Sequence, residues 1–448
     1  MARIRDLYVP LAALALYTVF ATREYYWDGV AFAITVESPS SWPQLFQPSH
    51  LLYCSLIRAV NHWVPVRPLY LMQALNVLLG AASVMLMSLQ IRRPALTALF
   101  AFSAVWWKFT TDANAYIPAI FFLLVARTLL EKEEPAPVRI ALAHTAAMLM
   151  HQLSLFFFPA ALFALWRRSR RAAVVYASLA GTLTLGTYTA AFVAQSPGQT
   201  FAEWIMTHSP DASFSGNLVR GLLLSLRGTQ RLLVGGKVGL FEPDLLTFAG
   251  IGLALCAVAL FFRTRDPVSE TRLPIAIDAI WLISYVVFLV FWLPQNTFYR
   301  LFYLPPLILL LRHIPGRRWV AVAAGLVVAW NWAFYIYPHT LPKNNAPLHF
   351  ALTDIRAWPN GSIILYRYLR PDLWTMSYFS KDKVWIDVTD RSLEQLEQIR
   401  LTTARDKTEL WADDSAIDAL SARPDAQEWL QKHSTRAVTG RFRFTSIQ

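Results

Sequence analysis

The feature that most limits the fold of this chain is a succession of long apolar segments separated by short polar links. A helix of about 20 apolar residues is long enough to span the hydrocarbon core of a bilayer. With 55% hydrophobic residues in 448, the chain is predicted to be a polytopic α-helical membrane protein. About eleven transmembrane helices are predicted, at residues 7–21, 69–91, 94–107, 115–130, 138–153, 154–166, 172–194, 244–262, 273–293, 301–312 and 318–337.

The net charge of +12 does not indicate a nucleic-acid partner, because the Lys and Arg residues occur in short clusters between apolar segments. Clusters such as 92–93 and 167–171 fall on one side of the membrane if the N-terminus is cytoplasmic, as the positive-inside rule requires. Short loops and polybasic inner links are typical of a bacterial inner (plasma) membrane protein, and that is the location we expect.

The last quarter of the sequence is more polar and is predicted to form a separate domain. We place the boundary between a transmembrane domain, 1–337, and a small extracytoplasmic α/β domain, 338–448. Two runs have the alternation of β-strands and two have the periodicity of helices. The strands are predicted at 362–368 and 383–388, and the helices at 392–404 and 415–433.

The first outer loop, 22–68, contains three candidate site residues. Asp28 precedes an amphipathic run, and it is either the N-cap of a helix lying on the membrane surface or a general base or metal ligand at the mouth of a cavity. Glu37 is either a solvated carboxylate or a second acid beside Asp28. His50 is either a surface or capping residue or a substrate-binding residue.

A second outer loop, 106–119, carries Lys108, Asp112 and Tyr116. Asp112 could cap the next span, or it could be the second acid or metal ligand of a site shared with Asp28. Lys108 and Tyr116 are candidates for substrate binding. His151 near the outer end of a later span is a further candidate, although a histidine packed between helices explains it equally simply.

Two groups of arginines are predicted on the outer side. Arg220, Arg227 and Arg231 are spaced by seven and four residues, which places them on one face of an interfacial helix. They either adhere to anionic headgroups or bind the phosphate of a lipid-linked substrate. Arg300 lies at the outer entrance of a span, against the charge bias, and is expected to have an anionic partner such as a phosphate.

These features resemble the GT-C superfamily of integral-membrane glycosyltransferases, including its mannosyltransferase-like and lipid-A-sugar-transferase-like branches. The sequence Trp27-Asp28-Gly29, soon after the first span, is similar to the catalytic-acid region of that superfamily, and "QPSHLLY" (47–53) is similar to the end of the same loop in some branches. "YRLFYLPPLILLL" (299–311) is similar to the start of a late span in many members. Many spans followed by an outer α/β domain complete the resemblance.

The resemblance implies a transfer reaction with a lipid-linked donor. It implies a polyprenyl-phosphate sugar as donor, a lipid, glycan or protein as acceptor, and inversion at the anomeric carbon of a hexose or pentose. Asp28 would be the base, and Arg300, with Arg227 or Arg231, would bind the donor phosphate. The resemblance allows a divalent cation (Mg or Mn) as a cofactor. Many members have an acidic pair in the first loop, however, whereas this chain has only Asp28, with Glu37 nine residues later, so neither a second acid nor a metal requirement follows from the resemblance.

Three other functions fit the same pattern. A polytopic lipid or solute carrier or flippase would use no chemistry, but it would have polar groups midway along broken helices and internal repeats, which the sequence does not contain. An anchoring protein would act through the 338–448 domain alone. An acyltransferase would use His144 or His151.

Overall fold

The computed structural model describes residues 6–38, 41–206, 216–263, 272–313, 317–367, 370–438 and 441–448. The chain divides into two compact units. The first contains residues 1–22 and 35–340, and the second joins residues 23–34 to 341–448. The sequence-based boundary left the whole loop 22–68 with the transmembrane domain, whereas the structure groups residues 23–34 with the C-terminal unit.

Among the described residues of the first unit, the regular secondary structure consists of helices. One helix, α2, begins in residues of the second unit and ends in the first. The α-helices in chain order are α1 (Tyr8–Val19), α2 (Trp27–Glu37), α3 (Tyr53–Trp63), α4 (Pro68–Ile91), α5 (Pro94–Ala101), α6 (Ala104–Thr110), α7 (Tyr116–Leu130), α8 (Pro137–Met150), α9 (Phe158–Trp166), α10 (Arg170–Gln195), α11 (Phe201–Met206), α12 (Leu218–Leu233), α13 (Leu245–Arg263), α14 (Arg272–Phe291), α15 (Leu304–Leu311), α16 (Arg317–Asn331) and α17 (Tyr337–Thr340).

Five helical segments in the described residues are long and apolar enough to cross a membrane. They are Pro68–Ile91, Arg170–Gln195, Leu245–Phe262, Leu273–Phe291 and Arg318–Thr340. Five shorter apolar helical segments also correspond to predicted spans: Tyr8–Val19, Tyr116–Leu130, Pro137–Met150, Gln152–Trp166 and Phe298–Leu311. The polytopic helical architecture is thus confirmed, and the number of eleven transmembrane helices stays a prediction.

The remaining predicted span, 94–107, is not one helix. The chain forms α5, turns at Phe102 and Ser103, and starts again as α6. The Ser103 hydroxyl donates to the Phe100 carbonyl at 3.0 Å, which satisfies part of the end of α5. Every residue of α6 is buried. This short helix is therefore inside the first unit, where its polar ends need protein partners.

Two amide side chains of α4 supply such partners. Gln73 Nε2 donates to the Thr22 carbonyl at 3.0 Å and to the Thr111 carbonyl at 2.9 Å. Asn76 Nδ2 donates to the carbonyls of Asp112 at 2.6 Å and Asn114 at 2.9 Å. Buried carbonyls without a donor are costly, so α4 fixes the segment that follows α6.

A buried ion pair joins α7 to α14. Arg127 and Asp278 have no exposed surface, and they meet through two hydrogen bonds, Nε to Oδ1 at 2.6 Å and Nη2 to Oδ2 at 3.0 Å. Arg127 Nη1 also lies 2.9 Å from Glu131 Oε1. A bidentate arginine–carboxylate pair is strong and directional, so it fixes the relative register of these two helices.

The second unit is a three-layer α/β fold. Its α-helices are α18 (Ala346–Phe350), α19 (Pro371–Phe379), α20 (Leu393–Arg405), α21 (Asp414–Ser421) and α22 (Pro424–His433), and its strands are β1 (Ile363–Tyr366), β2 (Val384–Asp387), β3 (Leu410–Asp413), β4 (Ser434–Val438) and β5 (Phe444–Ile447). The strand order is β2-β1-β3-β5-β4. β1 pairs in parallel with β2 and β3, whereas β5 is antiparallel to β3 and β4.

Alternate residues of β1 face two separate cores, as the period of a strand requires. Leu365 packs with residues of β3 and α20 to α22, and Ile364 packs on the opposite face with residues of α19. On that face Trp358 stacks on Trp411 of β3, with ring centroids 4.4 Å apart. The predicted strands at 362–368 and 383–388 correspond to β1 and β2, and the predicted helices to α20 and to the pair α21 and α22.

Candidate active site

Asp28 lies in the first turn of α2. The carbonyl of Tyr26 accepts from the backbone N–H groups of Gly29 and Val30, at 3.0 Å and 3.4 Å. The helix therefore begins before Asp28, and the interpretation of this residue as the N-cap is wrong. Its carboxylate instead occupies a position where the helix dipole favours negative charge.

The start of α2 is held by aromatic contacts within the second unit. Trp27 stacks with Trp374 of α19 at 6.1 Å between ring centroids, and Tyr25 stacks with Phe379 at 5.4 Å. The Asp28 side chain is only partly exposed, and the loss of solvent raises its pKa to about 7. A carboxylate with a pKa near neutrality is suited to general base catalysis.

Glu37, at the end of α2, is not a freely solvated loop acid. Its Oε1 lies 3.1 Å from Nε of Arg67, and its side chain is 14% exposed. The neighbouring carbonyl of Val36 accepts from Nη1 of Arg58 at 3.1 Å. This end of the helix is thus tied by two arginines within the first unit.

Lys108 and Asp112 form a buried ion pair, with Nζ and Oδ2 2.5 Å apart. Asp112 Oδ1 also accepts from the backbone N–H of Ala113 at 2.8 Å. Asp112 does not cap the following helix. That role belongs to Asn114, whose Oδ1 accepts from the N–H groups of Tyr116 at 3.0 Å and Ile117 at 3.2 Å.

Three residues that are distant in the sequence form one buried cluster of rings. His50 and His151 have ring centroids 4.6 Å apart, and Tyr116 lies 4.8 Å from His151 and 6.0 Å from His50. His50 ends a short 3₁₀ turn, Pro48–His50, and is 6% exposed, so its interpretation as a surface residue is wrong. We refer to these three residues as the His–Tyr cluster.

His151 has a structural contact as well. It follows α8, and its Nδ1 accepts from the backbone N–H of Leu153 at 3.1 Å. In the neutral ring this hydrogen bond places the proton on Nε2. His144 differs, because both of its nitrogens are engaged, Nδ1 with Tyr176 Oη at 2.7 Å and Nε2 with the Ser154 carbonyl at 2.9 Å. This arrangement suits a structural histidine better than an acyltransferase base.

Sequence reasoning did not identify the aromatic residues that surround the cluster. Phe298 and Tyr299 approach Tyr116 at 5.7 Å and 6.1 Å between ring centroids, and Phe302 lies 4.9 Å from His151. They belong to the 3₁₀ segment Phe298–Tyr303. The motif at 299–311 contained the signal, because it places aromatic residues on both sides of Arg300.

Arg300 is fully buried, and its described partners are neutral oxygens. Its Nη1 donates to the Asn296 carbonyl at 2.6 Å, and its Nη2 donates to the Pro294 carbonyl at 2.7 Å. Nη2 and Nε also donate to Ser225 of α12, at 3.0 Å to Oγ and 3.4 Å to the carbonyl. Through these contacts the guanidinium clamps α12 to the segment before α15.

Gly228 of α12 makes this clamp possible, since a Cβ there would lie 2.4 Å from Nε of Arg300. A cavity of about 200 Å³ beside the clamp is lined mainly by leucine and valine, with Arg300 and Thr229 at its polar part. Arg227 and Arg231 are exposed. They are thus on a different side of α12 from the residues that contact Arg300.

A metal ion is not implied by the arrangement of these acids. The described ranges contain no group of three or more His, Cys, Asp or Glu side chains placed to hold one. Asp112 is already neutralised by Lys108, so a cation at that carboxylate would have to compete with the lysine. The residues do not fit a divalent cation without rearrangement.

Comparison with known proteins identifies the fold. No family model matches the sequence, and no curated protein matches it. The crystal structure of ArnT from Cupriavidus metallidurans bound to undecaprenyl phosphate aligns with 99% of this chain and 98% of its own, at a TM-score of 0.59 and 12% identity. The apo state of the same protein aligns with 98% of this chain and 96% of its own, at a TM-score of 0.57 and 11% identity. Over nearly its whole length, the chain therefore has the fold of ArnT.

Proposed function

We propose that this chain is a membrane glycosyltransferase that transfers a sugar from a polyprenyl-phosphate donor to an acceptor on the extracytoplasmic side. The observation that carries the proposal is the shared fold with a protein crystallised with undecaprenyl phosphate. The half-buried carboxylate of Asp28, with a pKa raised to about 7, supplies the base that such a transfer needs.

In the proposed reaction the hydroxyl oxygen of the acceptor attacks the anomeric carbon of the donor sugar. The bond between that carbon and the phosphate oxygen breaks as the new glycosidic bond forms, so the configuration inverts. The acceptor proton passes to the Asp28 carboxylate, and the polyprenyl phosphate leaves with both bonding electrons.

We assign Lys108 to the phosphate of the donor. Its ammonium is buried and is held at 2.5 Å by Asp112, and lysine ammonium groups are common ligands of phosphate oxygens in proteins. A hydrogen-bond donor that is already fixed in a site of low dielectric stabilises the charge that develops on a leaving group. Asp112 is then the residue that positions Lys108, and Arg300 positions α12.

The polyprenyl chain needs an apolar surface, and the first unit offers two apolar cavities. One, of about 420 Å³, is bounded by α1, α13 and α16 and includes Phe20, Trp107 and Trp332. The other, of about 340 Å³, lies beside α8 and α10 and includes Met148, Phe158 and Tyr188. The His–Tyr cluster and its aromatic neighbours are proposed to bind the sugar, because aromatic rings pack against the apolar faces of bound ligands.

The proposal is tested with the purified protein in lipid nanodiscs, offered radiolabelled hexoses and pentoses on undecaprenyl phosphate together with extracted envelope lipids and glycans. Label should pass from the donor to an acceptor, and the anomeric configuration of the product, read by NMR, should be opposite to that of the donor. Retention of configuration would contradict the single displacement. Movement of the intact donor across the bilayer without transfer would favour a carrier.

A further inference from the structure

One face of α12 fixes this helix to the rest of the first unit. Gly221, Gly228 and Leu232 are its buried residues, and a Cβ on Gly221 would lie 2.4 Å from the Val290 carbonyl. On the same side, Thr229 Oγ1 lies 2.6 Å from Tyr303 Oη. The two glycines therefore allow the helix to pack with its backbone close to α14 and to Arg300.

A second face of α12 is apolar and exposed. Its residues stand between 45% and 68% exposed: Leu218, Val219, Leu222, Leu223 and Leu226. A row of large aliphatic side chains exposed to this degree is unusual on a surface in contact with water. It is expected where a helix meets acyl chains.

The third face carries the arginines. Arg220, Arg227 and Arg231 are all exposed, and at 100° per residue they form a line roughly 130° around the helix from the centre of the exposed aliphatic face. The helix contains no acidic residue. The three guanidinium groups therefore have no carboxylate on their own helix, and together they present a compact positive strip.

The amphipathic composition of α12 is that of a helix at the surface of a bilayer. Its 16 residues extend roughly 24 Å, and it is not among the described helices that are apolar enough to span. An amphipathic helix of this kind lies in the interface with leucines among the acyl chains and basic residues among the headgroups. Guanidinium groups bind phosphate oxygens through paired hydrogen bonds.

We propose that Arg220, Arg227 and Arg231 bind the headgroups of anionic phospholipids, so that α12 is a lipid-binding surface of the protein. This site is separate from the proposed reaction and does not depend on it. Through the Arg300 clamp, lipid binding at this site also affects another segment of the first unit. Because α12 is bonded through Ser225 to the guanidinium that holds the segment 294–300, lipid bound to α12 stabilises the segment that carries Phe298 and Tyr299.

The test measures which lipids surround α12 in the intact protein. A bimane label is attached at Leu223→Cys in a Cys256→Ser background, because Cys54 is buried and Cys256 is exposed. The protein is reconstituted in nanodiscs of phosphatidylcholine with 20 mol% phosphatidylglycerol, with bromine on either one lipid or the other. Quenching by each lipid then reports its local fraction.

We expect the local ratio of phosphatidylglycerol to phosphatidylcholine beside the label to be at least about fivefold above the bulk ratio, the factor that corresponds to about 1 kcal/mol from a single basic residue near an anionic surface. The triple variant Arg220→Gln, Arg227→Gln, Arg231→Gln should remove the enrichment and keep the quenching by phosphatidylcholine. A matched control with the same loss of charge, Arg356→Gln, Arg391→Gln, Lys432→Gln, replaces exposed residues of the second unit and should keep the enrichment.

Two results would overturn the inference. Absence of quenching by either lipid would place α12 in water, away from the bilayer. A local fraction of phosphatidylglycerol equal to its bulk fraction in the unaltered protein, or an enrichment that survives the triple arginine variant, would show that the arginines do not bind anionic headgroups. Neither result bears on whether the protein transfers sugar.

Discussion

Gly228 lies directly against the guanidinium group of Arg300, so close that a Cβ on Gly228 would be 2.4 Å from Nε and 2.7 Å from Cζ. Arg300 cannot move aside cheaply, because its N–H groups are bonded to two carbonyls of its own segment and to Ser225. The close approach of the α12 backbone to this buried cation therefore requires both the missing side chain of Gly228 and the fixed position of Arg300.

We predict that Gly228→Ala lowers the stability of the protein, because the methyl group forces the clamp apart. Overpacking of this kind costs about 1–3 kcal/mol, and thermal unfolding in detergent measures it. Gly186→Ala in α10 is the matched control, since no atom lies within 4 Å of its Cβ position. Alanine is favoured over glycine in a helix, so this control should be neutral or stabilising. Equal unfolding temperatures for the two variants would contradict the clamp.

A second prediction concerns pH and catalysis. If Asp28 is the base, kcat/KM for transfer should rise about tenfold per pH unit below its pKa and level off above it. The raised pKa of about 7 places the inflection near neutral pH. A profile that stays flat from pH 5.5 to 8 would remove Asp28 from the role of base.

The same carboxyl group makes stability depend on pH. Its contribution to stability falls as the pH rises, whereas that of an ion-paired acid increases. The pKa of Asp28 is raised from 3.8 to about 7, so the folded protein retains a proton that the unfolded chain releases. The contribution of this group to stability is therefore greatest below pH 4 and declines as the pH rises to 7. Asp28→Asn should flatten that part of the dependence of unfolding temperature on pH, and an unchanged slope would contradict the burial of the group.

The pair Arg127 and Asp278 provides a prediction about the free energy of unfolding. Asp278→Leu leaves a fully buried guanidinium with Glu131 as its remaining acid, and breaking a buried pair from one side costs about 3–5 kcal/mol. The double variant Arg127→Met, Asp278→Leu should recover most of this loss. Removal of the exposed pair Arg423–Asp425 is the control and should cost less than about 1 kcal/mol. A double variant no more stable than Asp278→Leu would show that the unpaired guanidinium of Arg127 is not the cause of the loss.

A prediction about KM separates two roles of His151, substrate binding and the structural hydrogen bond with Leu153. In His151→Asn the amide oxygen can still accept from the N–H of Leu153, but the ring that contacts Tyr116 is lost. If His151 binds substrate, KM should rise about tenfold, which corresponds to 1.4 kcal/mol, with little change in unfolding temperature. His151→Ala loses both contacts and should also be less stable. Unchanged KM in His151→Asn would leave the residue with its structural contact alone.

Much of the helical architecture could be predicted from hydropathy, because the bilayer demands long apolar segments whatever their packing. The break between α5 and α6 could not, since neither Gly nor Pro occurs there and the end of α5 depends on tertiary partners such as Asn331, whose Nδ2 donates to the Phe102 carbonyl. The resemblance to GT-C enzymes, drawn from short motifs, is confirmed at the level of the fold.

The site was less predictable, because it depends on contacts between distant segments. His50, Tyr116 and His151 were each identified by residue type and predicted side, but only the structure brings their rings together. Arg300 was singled out because it lies against the charge bias, and its partners in the structure are carbonyls and the Ser225 hydroxyl, which no sequence pattern specifies. Asp278 was overlooked although its signal was present, since an isolated acid in an apolar helix requires a partner.

The central claim is that Asp28 is the base of a sugar transfer from a polyprenyl-phosphate donor. The most direct measurement compares transfer of radiolabelled sugar at pH 8 by the unaltered protein, Asp28→Asn and Asp372→Asn in nanodiscs. Asp372 is exposed in the first turn of α19, so its variant makes the same chemical change in the same unit. The account predicts that transfer falls at least a hundredfold in Asp28→Asn and is retained in Asp372→Asn. Undiminished transfer by a folded Asp28→Asn variant would contradict it.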